Sequence, residues 1–278
     1  MQKIIAYIKE SLNAYYPESE ILGFTRIIIE YIFKTSYPQV LIEQKQFSDE
    51  DMIVFESTIE RLKKYEPIQY VIGETEFFGL PFFVDQNVLI PRPETEELVE
   101  LILQENPQSG LKILDIGTGS GAIAITLAKH LKSANMSAWD ISDKALAVAQ
   151  QNANTNQVVI SFSEVNVLNA CSSDKKFDII VSNPPYILEL EKEAMDKNVL
   201  DYEPHIALFV PDNKPLLFYD RIADIALENL NPNGKLYFEI NRAKGKEIVQ
   251  LLENKGFIEI NIFQDLSRND RMIRAHKR

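Results

Sequence analysis

From residue 113 to the C-terminus, short apolar runs alternate with amphipathic stretches, and this rhythm restricts the possible folds more than any other feature of the chain. Residues 113–116, 137–139, 158–162, 177–181, 235–240, 257–263 and 272–275 read as strands. Residues 122–132, 143–154, 216–230 and 244–255 carry apolar side chains at helical spacing. Seven strands interleaved with helices predict a Rossmann-like α/β fold, a mostly parallel sheet covered by helices on both faces. Such sheets bind ligands beyond the carboxyl ends of their strands, so the segments directly after strands are where chemistry is sought.

The N-terminal part follows a different period. Ile4, Ile8, Leu12 and Tyr15 share one helical face, and Leu22, Ile28, Ile29, Ile32 and Phe33 mark a second helix. Ser48 followed by Asp51 opens a third, through Met52, Phe55, Ile59 and Leu62. Pro17 and Tyr37-Pro38 read as breaks. Residues 74–84 change to β character around Gly79-Leu80-Pro81, as a hairpin would. The expected organisation is a small all-α helical bundle over 1–73, a β-hairpin linker over 74–88 and the α/β domain over 89–278. The helical module carries no constellation of reactive side chains, which suits a structural or recognition domain.

Composition narrows the class. The chain has 278 residues, with 41 Asp+Glu against 29 Lys+Arg and a formal net charge of −12. That balance disfavours a protein that grips long nucleic acid through its phosphates. Cys171 is the one cysteine and has no partner for an intramolecular disulfide, nor a nearby histidine to activate its thiol. The densest apolar run, 27–33, is interrupted by Glu30 and falls short of the roughly 20 residues a membrane span needs. Met1-Gln2-Lys3 leads into an amphipathic stretch, unlike a secretory signal. No broad apolar stripe is left over for self-association. A cytoplasmic monomer with no membrane attachment is expected.

The first candidate site is Asp115-Ile116-Gly117-Thr118-Gly119-Ser120-Gly121, between a strand and a helix. Glycines there allow positive φ and bring backbone amides close to a ligand at the positive end of the helix. Asp140 ends the next strand, where an acid accepts hydrogen bonds from ribose hydroxyls. The spacing is G-x-G-x-G rather than the dinucleotide G-x-G-x-x-G. Asp115 can hold an ammonium group or brace the loop amides, but would repel a pyrophosphate. S-adenosyl-L-methionine, with a ribose, a cationic tail and no phosphate, fits best. A nicotinamide or flavin dinucleotide and a loop that binds nothing remain the alternatives.

The second site follows the strand over 177–181, at Asn183-Pro184-Pro185-Tyr186. This motif resembles the acceptor motif of amino-methyltransferases that modify a planar nitrogen, either an exocyclic base amine or a glutamine amide. Such a nitrogen has a delocalised lone pair and is a poor nucleophile. The Asn183 side-chain oxygen and the Pro184 carbonyl can each accept one N–H and aim the lone pair at a methyl group. Prolines fix φ and hold the carbonyl inward, and Tyr186 offers a flat face to the acceptor. Proximity and orientation then supply the catalysis, with no metal required. His130, His205 and His276 are scattered singly and read as surface residues. The bland alternative for the motif is a proline-rich turn.

Three further stretches choose between acceptors. They are Pro67-Ile68-Gln69-Tyr70-Val71-Ile72-Gly73, Ile90-Pro91-Arg92-Pro93-Glu94-Thr95-Glu96, and Asp265-Leu266-Ser267-Arg268-Asn269-Asp270-Arg271-Met272. With the hairpin and both motifs they resemble the release-factor glutamine methyltransferases, the HemK family, over nearly the whole chain. The resemblance implies a class I methyltransferase fold that uses S-adenosyl-L-methionine. It implies N5-methylation of the glutamine in the Gly-Gly-Gln motif of class 1 bacterial peptide chain release factors, with the helical domain helping to hold that protein.

Carried over residue by residue, the resemblance makes Asp115, Gly117, Thr118, Gly119, Ser120, Gly121 and Asp140 cofactor-binding. Asn183 meets both cofactor and substrate, and Asn183, Pro184, Pro185 and Tyr186 cradle the glutamine and carry catalysis. One departure concerns the adenine. Where the family often has an acid followed by a large aromatic, this chain reads Asn166-Val167, and valine covers less of the ring. Arg92, Glu94 and Glu96 read either as a helix start with paired surface charges or as lining of the methionine end or substrate channel. The alternative function is an N6-adenine-type DNA or rRNA amino-methyltransferase, supported by the basic tail Arg268, Arg271, Arg274, Lys277 and Arg278. The acidic net charge argues against a stable nucleic-acid partner.

Overall fold

A computed structural model describes residues 1–170 and 175–278, so Cys171 lies outside the described residues. The chain forms two compact units, Met1–Glu74 with Asp196–Tyr202, and Thr75–Met195 with Glu203–Arg278.

The first unit is helical, with α1 (Gln2–Leu12), α2 (Glu18–Phe33), α3 (Tyr37–Ile42), α4 (Asp49–Leu62) and α5 (Ile68–Ile72). Ser48 and Asp51 form a capping box at the start of α4, the Ser48 oxygen accepting the Asp51 N–H and the Asp51 carboxylate accepting the Ser48 N–H. Tyr37-Pro38 marks a helix boundary as expected, α2 ending at Phe33 and α3 starting at Tyr37. Pro38 sits in the first turn of α3, where its missing N–H would have had no partner. Ile8, Leu12, Ile28, Phe55 and Leu62 build the core, whereas Leu22 is 62% exposed and Tyr15 lies beyond the end of α1. The later segment 196–202 joins these helices through Tyr202, whose hydroxyl donates to the Lys64 carbonyl at 2.8 Å, and through Lys197, whose ammonium lies over the Tyr65 ring.

The second unit begins with a hairpin, β1 (Glu74–Phe77) and β2 (Leu80–Phe83), then α6 (Pro93–Glu105). Strand–helix alternation follows: β3 (Lys112–Ile116), α7 (Ala122–His130), β4 (Asn135–Asp140), α8 (Asp143–Thr155), β5 (Ile160–Glu164) and β6 (Phe177–Ser182). After an excursion of short helical turns and a two-residue parallel strand pair, Ile187–Leu188 with Phe209–Val210, come α9 (Leu217–Asn229), β7 (Leu230–Glu239), α10 (Gly245–Lys255), β8 (Ile258–Gln264) and β9 (Asp270–His276). The seven-stranded sheet has the order β8-β9-β7-β6-β3-β4-β5, and only β9 runs antiparallel to its neighbours.

Two apolar layers cover the two faces. Ile113, Ala138, Val181 and Tyr237 point toward α6 and α7, while Leu114, Ile180, Leu236 and Phe238 point toward α9 and α10. The chain leaves β3 for β4 and β5 on one side, then crosses to β6 on the other. That reversal opens a crevice at the carboxyl ends of β3 and β6.

Candidate active site

Strand register decides what meets at this crevice. Ile116 pairs with Ser182 and with Trp139, so Gly117, Asn183 and Asp140 leave the sheet on adjacent parallel strands. They line one cleft of about 260 Å³. The Ser182 hydroxyl donates to the Ile116 carbonyl at 2.7 Å and ties the two strand ends together.

The glycine loop is held from three sides. Gly119 (φ +54°) and Gly121 (φ +84°) take the left-handed conformation that side chains disfavour. The Gly119 N–H donates to Asp140 Oδ2 at 2.8 Å, and the Ser142 N–H donates to Asp140 Oδ1 at 3.0 Å. Each oxygen keeps a second lone pair for a ligand hydroxyl. Asn152, fully buried on α8, donates from Nδ2 to the carbonyls of Ser120 and Phe83, and its oxygen accepts the Phe83 N–H. One asparagine therefore fastens the loop to the hairpin.

Asp115 lies under the loop. The two-residue period of β3 turns it to the same face as Ile113, where it is wholly buried and does not line the cleft. Its Oδ2 accepts the Thr118 hydroxyl at 2.7 Å, and burial lifts its carboxyl to about 7. This is a bracing position. Gly117 and Gly119 face the cleft, whereas Thr118, Ser120 and Gly121 shape the turn behind it.

Asn166 and Val167 line the cleft with Ile141, Val165 and Phe218. The Asn166 oxygen already accepts the Leu168 N–H at 3.0 Å, which leaves one lone pair for an adenine amino group. Among the described residues, no Lys or Arg lines the cleft. A carboxylate with lone pairs left for hydroxyl groups, an apolar wall and the lack of a cationic side chain among the described lining residues fit S-adenosyl-L-methionine and disfavour a pyrophosphate.

Asn183, Pro184 and Pro185 line the cleft, and Tyr186 stands behind them. The Tyr186 hydroxyl donates to Glu239 Oε1 at 3.2 Å, where burial beside that carboxyl holds the phenol well above its ordinary pKa. Asn183 Nδ2 donates to Thr95 Oγ1 at 3.2 Å, and Thr95 donates to Glu239 Oε2 at 2.6 Å.

Arg92, Glu94 and Glu96 do not line the cleft. Arg92 precedes α6 and pairs with the buried Glu203 at 2.5 Å, while Glu96 accepts the Phe78 N–H at 2.7 Å. Arg92 and Glu96 thus contact distant segments rather than each other. Asn152, Glu203 and Glu239 went unrecognised in the sequence. Only Glu239 carried a signal there, as an acid inside the apolar run Tyr237-Phe238-Glu239-Ile240.

Residues 94–201 match the methyltransferase small domain family, and residues 3–73 match the PrmC N-terminal domain family. The chain is 51% identical to a release factor glutamine methyltransferase of Flavobacterium psychrophilum, over 97% of this chain and 96% of that one. A release factor glutamine methyltransferase of Bacteroides thetaiotaomicron is 43% identical, with 100% of both chains covered. A solved methyltransferase structure from Pyrococcus furiosus is similar in fold, with a TM-score of 0.54 at 16% identity over 83% of this chain and 99% of that chain.

Proposed function

The chain belongs to the release factor glutamine methyltransferase family, and from that premise we propose that it methylates the side-chain N5 of the glutamine in the Gly-Gly-Gln motif of bacterial class 1 release factors. Its α/β unit is a class I methyltransferase domain, and its cofactor is S-adenosyl-L-methionine. The observation that supports the acceptor reading is that Asn183, Pro184 and Pro185 line the same cleft as Gly117, Gly119 and Asp140.

When bound, S-adenosyl-L-methionine supplies a methyl group on a sulfonium centre. The protein's part is to bind, orient and exclude water. Asp140 would receive the ribose hydroxyls, and the bare backbone of Gly117 and Gly119 would allow close approach. Val167 and Asn166 would hold the adenine. On the acceptor side, the Asn183 oxygen and the Pro184 carbonyl take the two N–H groups of the glutamine amide, so that its lone pair points along the line of transfer. Pro185 restricts the chain there, and Tyr186 backs the amide plane. The methylated nitrogen is strongly acidic until it sheds a proton to water, so no side chain has to act as a strong base.

The basic tail speaks against a nucleic-acid acceptor. Arg271 pairs with Asp265, Arg274 with Glu105, and the Lys277 ammonium donates to the Leu230 carbonyl, so three of its five cations are engaged within the fold. The enzyme acts in the cytoplasm as a monomer. Among the described residues, no helix is long and apolar enough to cross a membrane.

Transfer of labelled methyl to release factor, DNA and ribosomal RNA, offered in parallel, tests this function. Label is expected on the release factor and lost when its Gly-Gly-Gln glutamine is replaced. Label on nucleic acid and none on the release factor would overturn the reading.

A further inference from the structure

We propose that Thr95 and Glu239 are positioning residues that lock the Asn183 amide with its oxygen turned toward the cleft; this rests on the reading of Asn183 as an acceptor-site residue. The three side chains come from three elements. Ser182 pairs with Phe238 across β6 and β7, so Asn183 and Glu239 are the next residues on adjacent parallel strands. Thr95 lies in the first turn of α6, the helix that packs on the face shared by Val181 and Tyr237.

Donor and acceptor counting sets the direction of the chain of bonds. The Thr95 hydroxyl has one proton, and that proton goes to Glu239 Oε2. Only lone pairs remain on Thr95 to face Asn183. An amide oxygen placed there would be repelled, so the amide presents Nδ2, and the 3.2 Å contact follows. The Asn183 oxygen lies on the opposite side of the planar amide and has no hydrogen-bond partner among the described residues, although Asn183 lines the cleft.

Glu239 holds a second member of the motif, since its other oxygen accepts the Tyr186 hydroxyl. Thr95 is 5% exposed and Glu239 2% exposed, so bulk water cannot stand in for either. Burial pushes the Glu239 carboxyl up, and the bonds from Thr95 and Tyr186, with Arg271 nearby, act against that push. A flipped Asn183 would aim two N–H donors at the N–H groups of the acceptor amide. Thr95 and Glu239 therefore set the fraction of enzyme able to accept a planar nitrogen, without touching substrate themselves.

The test compares wild type, Thr95→Val, Thr95→Ser, Asn183→Ala and the double variant Thr95→Val/Asn183→Ala. Valine keeps the shape and removes the hydroxyl, and serine restores it. Turnover at saturating acceptor is measured alongside S-adenosyl-L-methionine affinity by titration calorimetry. Misorientation of the acceptor predicts a roughly ten- to hundred-fold loss of kcat in Thr95→Val. Cofactor Kd should stay within about twofold, Thr95→Ser should recover to within about threefold of wild type, and the valine should cost nothing further in the Asn183→Ala background. Wild-type turnover in Thr95→Val, failure of serine to rescue, or full additivity with Asn183→Ala would each overturn the proposal.

Failure of the function proposed above would be read separately, in which acceptor the wild type labels. Whichever acceptor that is, the ranking of the variants on it still decides the role of the Thr95 hydroxyl and the bonds it makes.

Discussion

Asp115→Asn weighs the buried charge beneath the glycine loop. The carboxyl is wholly buried, Thr118 donates to one oxygen, and the other oxygen has no partner among the described residues. Burial is the largest cause that raises its pKa from 3.8 to about 7; Asp140 adds to the rise and Thr118 opposes it. At about 1.36 kcal/mol per unit, a rise of about three units means the fold disfavours the anion by about 4 kcal/mol. Because the folded value is the higher one, the favourable contribution is complete below about pH 4 and is lost as pH rises through about 7. Between about pH 5.5 and about pH 8.5 the wild type should lose about 2 kcal/mol from this group alone.

Asparagine keeps the shape and an acceptor for Thr118 but does not titrate. Relative to wild type, the variant should therefore gain about 2 kcal/mol over that interval and be the more stable protein at the alkaline end. Urea unfolding of both proteins at the two pH values, without cofactor, measures the difference. Trp139 is the single tryptophan and is buried in the α/β unit, so its fluorescence follows the relevant transition. A stability difference between the two proteins that is the same at both pH values would refute the assignment of a raised, titrating carboxyl to Asp115.

Two other substitutions probe the frame around the site. Arg92→Ala strands the buried Glu203 carboxylate with the Ile90 N–H as its remaining partner among the described residues, and should cost about 3 kcal/mol at neutral pH. Burial already raises the Glu203 pKa, so the loss should shrink as the medium is acidified and the stranded acid protonates; urea melts across pH would show it. Gly121→Ala forces a side chain into a left-handed conformation and brings its Cβ to 2.8 Å from Ile125 Cδ1. The backbone strain alone should destabilise by about 1–2 kcal/mol. A thermal melt unchanged from wild type would show that the turn relaxes instead.

The elements were largely legible because their signals are short-range. The strand–helix alternation of β3 to β6, the Ser48–Asp51 capping box and the loop from Gly117 to Gly121 are each written within a few residues. Pro38 was legible as a boundary, because proline is disfavoured inside a helix but fits its first turn, where it stands in α3. Leu22 lies in α2 as expected although its side chain faces solvent, since an apolar residue can be exposed without breaking a helix.

What the sequence determined by itself was the architecture and the chemical identity of the ends of the strands: a glycine loop, an acid at 140 and the Asn-Pro-Pro-Tyr stretch at 183–186. These follow from local period and turn chemistry. The tertiary structure decided how those ends are braced. Asn183 meets Thr95 at a separation of 88 residues, and Thr95 meets Glu239 at 144. Asn152 ties Ser120 to the hairpin, and Arg92 reaches Glu203 across 111 residues. No local preference encodes such meetings. They depend on strand order and on the register that places Ile116, Ser182 and Phe238 level with one another. Register is settled only when both faces of the sheet are packed, because a shift of one residue would turn every apolar side chain to the wrong layer.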